Sequence, residues 1–399
     1  MKKCPAAEYC GGCQYQGIEY DKQLFIKQEK IDSLLSSFHT VEKILPCKES
    51  LNYRNKVQIS FSYDEHRNIL CGYYISNSHM IVPIEKCGIA SVEINQLISS
   101  LKRIIIKNRI SIYDERNRKG CLRHILLRST STGETMVVFV TGSKTLNKAD
   151  TLIRDVLRYN PSVKTIIHNI NDVPTSKVLG RRSYVLYGKG YITDKLCGLS
   201  FRISAASFYQ VNSYQTQTLY EEAIRLADLK ESDILIDAYC GTGTIGLSAS
   251  KKVRKVIGVE INESAIKDAK INQKINGIEN VEFVLNDAGK YMESLSSKKT
   301  HIDAVIMDPP RAGSDIRFMS SMVKLSPDKI VYISCNPDTL KRDLSYLKKY
   351  YSIQKIQPVD MFPFTSHIET IVLLSREKAD GYTSIDSAMK GSDERQVKR

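Results

Sequence analysis

The 399-residue sequence predicts an α/β chain in which a doubly wound parallel sheet follows an α+β domain. Three observations carry this. After residue 203 the apolar runs ILIDAY, KVIGVE, VEFVLN, IDAVIMD and KIVYIS alternate with helical stretches such as INESAIKDAKINQKIN and TLKRDLSYLKKY. That alternation is the pattern of parallel strands joined by crossover helices. From about 45 to 200 the runs VQISFSY, IVPIEKC, TMVVFVT, KTIIHNI and YVLYGKG are short, β-rich and broken by Gly, Asn and Ser, as in an antiparallel sheet. Composition agrees: hydrophobic residues make up 42% and charged residues 26%, as in a soluble globular protein. No apolar run approaches the ~18 residues that a membrane span needs.

The elements follow in order. Residues 19–37, EYDKQLFIKQEKIDSLLSS, form an amphipathic helix with Tyr20, Leu24, Ile31, Leu34 and Leu35 on one side and Lys27 interrupting the stripe. With the residues before it, this gives an N-terminal segment, 1–45. The central α+β domain, 46–202, contains one helix, VEINQLISSLKRIIIK, with apolar residues at three- and four-residue steps. The doubly wound domain occupies 203–376. At its end SIQKIQPVD and HIETIVLLS lack a long helix between them, so they are expected to pair antiparallel at one edge. The tail 377–399 mixes both charges with Gly and Ser and is expected to be disordered.

The N-terminus is basic but has no apolar signal segment, so a cytoplasmic location is expected. In that reducing compartment the ten cysteines should be thiols, metal ligands or catalytic groups. The net charge of +14, from 58 Lys and Arg against 44 Asp and Glu, favours an acidic polymer as partner. Residues 102–128 concentrate this excess, with nine Lys and Arg against two acids and with Tyr113 and His124 interleaved. YRNK at 53–56 adds two more cations.

ILIDAYCGTGTIG runs a strand through a glycine loop into a helix, and Gly241, Gly243 and Gly246 fit G-x-G-x-x-G. Glu260 ends the next strand, where a carboxylate can accept hydrogen bonds from two ribose hydroxyls. This pair suits any adenosine-containing cofactor, NAD and S-adenosylmethionine included. In an open α/β sheet the carboxyl ends of the strands line the ligand crevice. Asp237, Glu260, Asp287, Asp308 and Cys335 are therefore expected on one rim. Each carboxylate alone reads as a helix cap, and Cys335 alone reads as a small packed hydrophobe. Five such termini in register point instead to a pocket. Pro309 and Pro310 would stiffen a loop where a flat base lies, and Pro337 fixes the turn after the thiol.

DAYCGTG, DPPRAG, SCNP and DMFPFTSHIE together resemble the RNA uracil-C5 methyltransferases that use S-adenosylmethionine. SFYQVN and the N-terminal cysteines belong to the same pattern, so the resemblance spans nearly the whole chain. It implies a Rossmann-like methyltransferase domain and a central RNA-binding domain carrying an iron–sulfur cluster. It further implies Cys335 as nucleophile, Glu369 as the base that removes the C5 proton, and Gln210, Tyr239, Glu260, Asp287 and Asp308 in the cofactor and uracil pocket. The chemistry agrees, because thiolate addition at C6 makes C5 nucleophilic and a carboxylate can then complete the elimination. On residues alone, Glu369 reads as a surface strand carboxylate paired with His367.

Cys4-x5-Cys10-x2-Cys13 with Cys87 supplies four thiolates, enough for a 4Fe-4S cluster or a structural zinc. Spacing leaves both open; the resemblance implies the cluster, with Cys87 as the distant ligand. Relatives carry a small N-terminal β-barrel module before these cysteines; with Cys4 so early in the sequence, that module is expected to be missing. RNA is the expected partner, large-subunit ribosomal RNA first and the tRNA T-loop second, contacted through phosphates with the uracil flipped out of its stack. No membrane and no obligate protein partner are expected, and the chain should be a monomer. Two other readings explain less. An NAD-dependent oxidoreductase gives Cys335, Glu369 and the basic stretch no joint task. A catalytically silent RNA-binding protein leaves an intact thiol, carboxylate and DPPR loop without purpose.

Overall fold

A computed structural model describes residues 4–75, 78, 80–175 and 177–376. The tail 377–399, expected to be disordered, lies outside the described residues. Among these no helix is long and apolar enough to cross a membrane.

The N-terminal helix α1 spans Tyr20–Leu35. The central unit follows as β1 (Lys56–Tyr63), β2 (Ile69–Tyr74), β3 (Ile81–Pro83), α2 (Val92–Lys107), β4 (Leu122–Ser129), β5 (Thr135–Thr141), α3 (Ala149–Tyr159), β6 (Val163–Ile170) and β7 (Arg182–Gly188). Its seven strands lie in the order β3-β2-β1-β4-β5-β6-β7, and every pair is antiparallel except β5–β6. That parallel pair needs a crossover, which α3 supplies. The segment ADTLIRDVLRY that forms α3 went unread as a helix in the sequence, although its apolar residues recur at helical spacing. Helix α2 begins at the Ser91 cap, whose side chain accepts from Ile94 N–H at 3.2 Å, and covers one sheet face with Ile94, Leu97, Ile98, Leu101 and Ile105.

A hairpin of β8 (Tyr191–Leu196) and β9 (Leu199–Ser204) leads into the C-terminal unit. Its apolar residues Ile192, Leu196, Phe201 and Ile203 join one core with Leu126, Met136 and Val138 of the central sheet and with Leu219, Ile224 and Leu235 beyond. The boundary expected at 202/203 therefore falls inside a strand that both units share. Then come α4 (Ser213–Ala227), β10 (Ile234–Ala238), α5 (Thr244–Ala249), β11 (Lys255–Glu260), α6 (Glu263–Ile275), β12 (Val281–Leu285), α7 (Ala288–Ser297), β13 (Ala304–Met307), α8 (Ile316–Leu325), β14 (Lys329–Ser334), α9 (Pro337–Leu347), β15 (Ser352–Val359) and β16 (Glu369–Ser375).

The second sheet has the order β12-β11-β10-β13-β14-β16-β15, parallel up to β14, with β16 inserted antiparallel between β14 and β15. This confirms the doubly wound sheet and its antiparallel edge. Residues 1–45 do not form a separate body: α1 packs Ile31 and Leu35 into the core beneath α9, and Val41 and Leu45 bridge in parallel to Ile356 and Val359 of β15.

Candidate active site

Register sets the rim. Ala238 pairs with Val259 and Met307, Glu260 with Leu285, and Met307 with Tyr332, so the strand ends that precede Tyr239, Asp287, Asp308 and Cys335 finish at one level. Asp237 is the exception to the expected row. It is fully buried one residue before its strand ends, and its Oδ2 accepts the Gly246 N–H at 2.7 Å. Its Oδ1 is buried without a partner among the described residues. Burial, and to a lesser degree the Asp308 and Glu260 carboxylates, push the Asp237 carboxyl up to about 7. It shapes the glycine loop and does not project from the rim. A Cβ at residue 246 would lie 2.9 Å from Asp237 Oδ2, and Gly243 adopts φ +78° against the Phe283 ring, which explains both glycines.

On the glycine-loop side, Glu260 Oε2 accepts the Gly241 N–H at 3.1 Å and Oε1 accepts the Asn262 N–H at 2.7 Å, which fixes the carboxylate at the rim. Asp287 caps α7 by accepting the Lys290 N–H at 3.0 Å, so the helix-cap reading holds for it as well. Tyr239 adopts φ +62°, strained for a bulky residue, with its hydroxyl 3.1 Å from Ser314 Oγ and its ring 5.3 Å from that of Phe318. Gln210 arrives from the segment before α4. That segment is tied to β1 by Asn55, whose Nδ2 donates to Gln210 O at 3.0 Å and whose N–H donates to Val211 O at 2.8 Å.

The antiparallel insertion of β16 brings Cys335 and Glu369 together. Ser334 pairs with Thr370, so the register continued by one residue sets Cys335 opposite Glu369. Glu369 is 3% exposed, which removes the surface-carboxylate reading, and His367 lies ahead of the strand and pairs elsewhere. Burial first, and then the Asp308 carboxylate, hold the Glu369 carboxyl well above the usual range, opposed by Arg311. Burial pushes Asp308 up to about 7. Burial also lifts the Cys335 thiol to about 11, helped by Glu369 and Asp308 and opposed by Arg311. Cys335 immediately precedes the Asn336 cap of α9, where the helix N-terminus also favours thiolate.

Sequence reasoning gave Arg311 and Asn336 no task. Arg311 O accepts from Asn336 Nδ2 at 3.1 Å and from Thr339 Oγ1 at 3.3 Å, while Arg311 Nη2 donates to His367 Nδ1 at 2.8 Å. One arginine thus ties together the DPPR, SCNP and FPFTSH loops. The signal was present, since all three residues lie inside quoted motifs, but nothing in the sequence says that these loops meet.

The loop 360–367 leading to Glu369 is clamped from the N-terminus. Lys27 Nζ donates to Asp360 Oδ1 at 2.6 Å, both side chains fully buried, and to Phe362 O at 3.1 Å. Tyr20 donates to Asp360 Oδ2 at 2.8 Å, Gln23 Oε1 accepts the Phe364 N–H at 2.8 Å, and Tyr53 donates to Pro363 O at 2.9 Å. The lysine that breaks the apolar stripe of α1 is therefore the buried partner of an aspartate more than 300 residues away.

Cys4, Cys10, Cys13 and Cys87 line one cavity together with Tyr73, Lys86 and Gly88. Burial and the neighbouring cysteines raise the Cys10 thiol, and Cys13 to about 11. Tyr73, whose hydroxyl faces the Cys87 thiol, belongs to the same lining. Among the described residues no three His, Cys, Asp or Glu are gathered tightly enough to hold a single metal ion. Cys13 and Cys87 also pack against Tyr53, Ile89 and Phe364 of the clamped loop.

The basic stretch divides. Lys102, Arg103, Arg109, Arg116, Arg118 and Lys119 are exposed, whereas Lys107 pairs with Asp155 at 2.7 Å. Arg123 and Arg128 are buried at 5% and 2% exposure and serve carbonyls: Arg123 those of Asn171 and Val173, Arg128 those of Ala205 and Ser207. His124 is buried beside Ser60, and burial with Arg123 lowers it to about 4. Tyr113 stacks under Arg123, at 5.2 Å. Arg123, His124 and Arg128 therefore leave the expected surface set, because both faces of β4 are covered.

Comparison with known proteins agrees with this geometry. The family model for tRNA (uracil-5-)-methyltransferase matches residues 19–377. An uncharacterised RNA methyltransferase of Oceanobacillus iheyensis is 40% identical over 92% of this chain and 82% of its own length. One from Clostridium tetani is 41% identical over 93% and 82%. The crystal structure of Pyrococcus abyssi tRNA (uracil-54, C5)-methyltransferase with S-adenosyl-L-homocysteine is similar with a TM-score of 0.76 and 30% identity, over 91% of this chain and 86% of that one. The chain belongs to the RNA (uracil-5-)-methyltransferase family, whose members act on RNA with S-adenosylmethionine as methyl donor.

Proposed function

We propose that the chain methylates C5 of a uracil in RNA by addition and elimination, with Cys335 as nucleophile and Glu369 as base. The carrying observation is the β14–β16 register, which sets the thiol opposite a buried carboxyl of high proton affinity. When bound, S-adenosylmethionine would supply the methyl electrophile. Cys335 thiolate adds to C6, the electron pair of the C5–C6 double bond moves to C5, and C5 takes the methyl as the donor's S–CH3 bond breaks and S-adenosyl-L-homocysteine leaves. Glu369 then removes the C5 proton, the double bond re-forms, and thiolate leaves. A base of raised proton affinity suits that last step. Asp308 holds the uracil edge, Arg311 stabilises thiolate and carboxylate, and Glu260, Asp287, Tyr239 and Gln210 line the donor side.

The reading includes a 4Fe-4S cluster on Cys4, Cys10, Cys13 and Cys87. The donor set supports it: the four soft thiols Cys4, Cys10, Cys13 and Cys87 line one cavity and would hold the cluster. It would crosslink the N-terminal segment to the β3–α2 loop. Purified anaerobically, the protein should be brown and contain iron; zinc without iron would remove the cluster from the account.

Large-subunit ribosomal RNA is the first substrate in this reading, acted on in the cytoplasm. The tRNA T-loop is the second, and likeness to a tRNA (uracil-54, C5)-methyltransferase favours it. The test is to incubate the protein and labelled donor with RNA from cells lacking the gene, then map 5-methyluridine by nuclease digestion and mass spectrometry. New 5-methyluridine in ribosomal RNA supports the first substrate, and in tRNA the second. None in either would overturn the function.

A further inference from the structure

Three cations meet where the central sheet faces the C-terminal unit. In the register of β1 and β4, Lys56 lies directly opposite Arg128. Alternation places Arg54 on the same face, two residues earlier. Like charges directly opposite each other across two strands repel, and Asp268 answers only the buried Arg128. Among the described residues neither Arg54 nor Lys56 forms an ion pair with a carboxylate, and both are partly exposed. Arg54 Nε donates to Lys56 O at 3.2 Å, and among the described residues its terminal nitrogens make no hydrogen bond. Behind them Arg128 is 2% exposed; its Nη2 reaches the Ala205 and Ser207 carbonyls while its buried Nε has no partner among the described residues. Burial, then Arg128 and Arg54, draw the Lys56 ammonium down to about 8.

The surroundings locate the cluster. Asn55, between the two exposed cations, holds the backbone of Gln210. Arg54 also acts electrostatically on Cys10 and on His367 of the loop leading to Glu369. The uncompensated cations thus stand between the cysteine cavity, the Gln210 segment and the catalytic loops.

We propose that Arg54 and Lys56, backed by Arg128, bind a backbone phosphate of the RNA beside the uridine that enters the pocket. The inference rests on the reading above, in which RNA uracil is the substrate. An anion there relieves the repulsion between strands, and a phosphodiester lying next to a flipped nucleotide supplies one at a fixed distance from its base.

The experiment uses the full chain with a uridine-containing RNA hairpin, with binding followed by fluorescence anisotropy from low to moderate salt. Lys56→Met and Arg54→Met should each weaken binding and reduce the slope of log affinity against log salt, with the double variant losing about 0.7, the value for one single-stranded phosphate contact. Affinity for S-adenosyl-L-homocysteine should be unchanged, and thermal midpoints should hold or rise because repulsion is eased. Lys56→Arg should keep the wild-type slope. Unchanged RNA affinity and slope in both methionine variants would overturn the proposal. So would lost S-adenosyl-L-homocysteine affinity with RNA binding intact, which would assign the cations to the donor's carboxylate. A wild-type chain that ignores RNA at every salt would overturn the enclosing function, whereas wild-type methylation with unaltered variants would sink the phosphate site alone.

Discussion

Replacing Asp237 by Asn should stabilise the protein at neutral pH and leave it nearly unchanged in acid. The carboxyl is fully buried, with one oxygen on the Gly246 N–H and the other unpartnered. Its pKa moves from 3.8 to about 7 on folding. Because the folded pKa is raised, the native state holds a proton that the unfolded chain has released. Stability therefore falls as pH rises through that window. At 1.36 kcal/mol per pKa unit, a shift of about 3 units corresponds to about 4 kcal/mol, fully developed above pH 7 and absent below pH 3.8. Asparagine keeps an acceptor for Gly246 and carries no charge. Urea unfolding of both proteins at pH 5 and pH 8 reads this directly: the variant's advantage should be about 1.6 kcal/mol at pH 5 and rise to about 4 kcal/mol at pH 8. Equal destabilisation at both pH values would mean that Asp237 is ionised and held by its hydrogen bond, and the reasoning would fail.

Three further outcomes follow from the site. Lys27→Met strands the buried Asp360 charge and should cost about 3–5 kcal/mol in urea unfolding, much of it recovered when Asp360 is also made apolar; a loss under 1 kcal/mol would show the pair to be dispensable. Arg311→Met removes a cation that lowers both Cys335 and Glu369, so single-turnover adduct formation should need higher pH; an unshifted profile would exclude Arg311 from that role. Glu369→Gln should accumulate a methylated, thiol-linked RNA adduct, visible as a slow-migrating band on denaturing gels, and normal turnover would place the base elsewhere.

The parallel strands and their rim were legible because each strand is an apolar run ending in a polar residue, so a single period carries the message. Asp237 misled because a strand-end aspartate one residue short of the rim looks the same in sequence as one that clears it; only the fold shows Gly246 turning back over it. The basic stretch misled similarly, since β4 buries both of its faces and takes Arg123, His124 and Arg128 inside. Lys27 looked like a flaw in an amphipathic stripe because its partner, Asp360, is remote in sequence. The nearness of Cys335 and Glu369 came to the sequence reading only through resemblance; its physical cause is the antiparallel insertion of β16, and local patterns do not encode strand order.

The central claim is that Cys335 attacks uracil and Glu369 completes the elimination. RNA carrying 5-fluorouridine at the target, mixed with enzyme and methyl donor, cannot release fluorine as it would a proton and should stop as a covalent complex. Proteolysis and mass spectrometry should then find the methylated fluorouracil on the peptide containing Cys335, and Cys335→Ala should form no complex. A complex that persists in Cys335→Ala, or maps to another residue, would contradict the account.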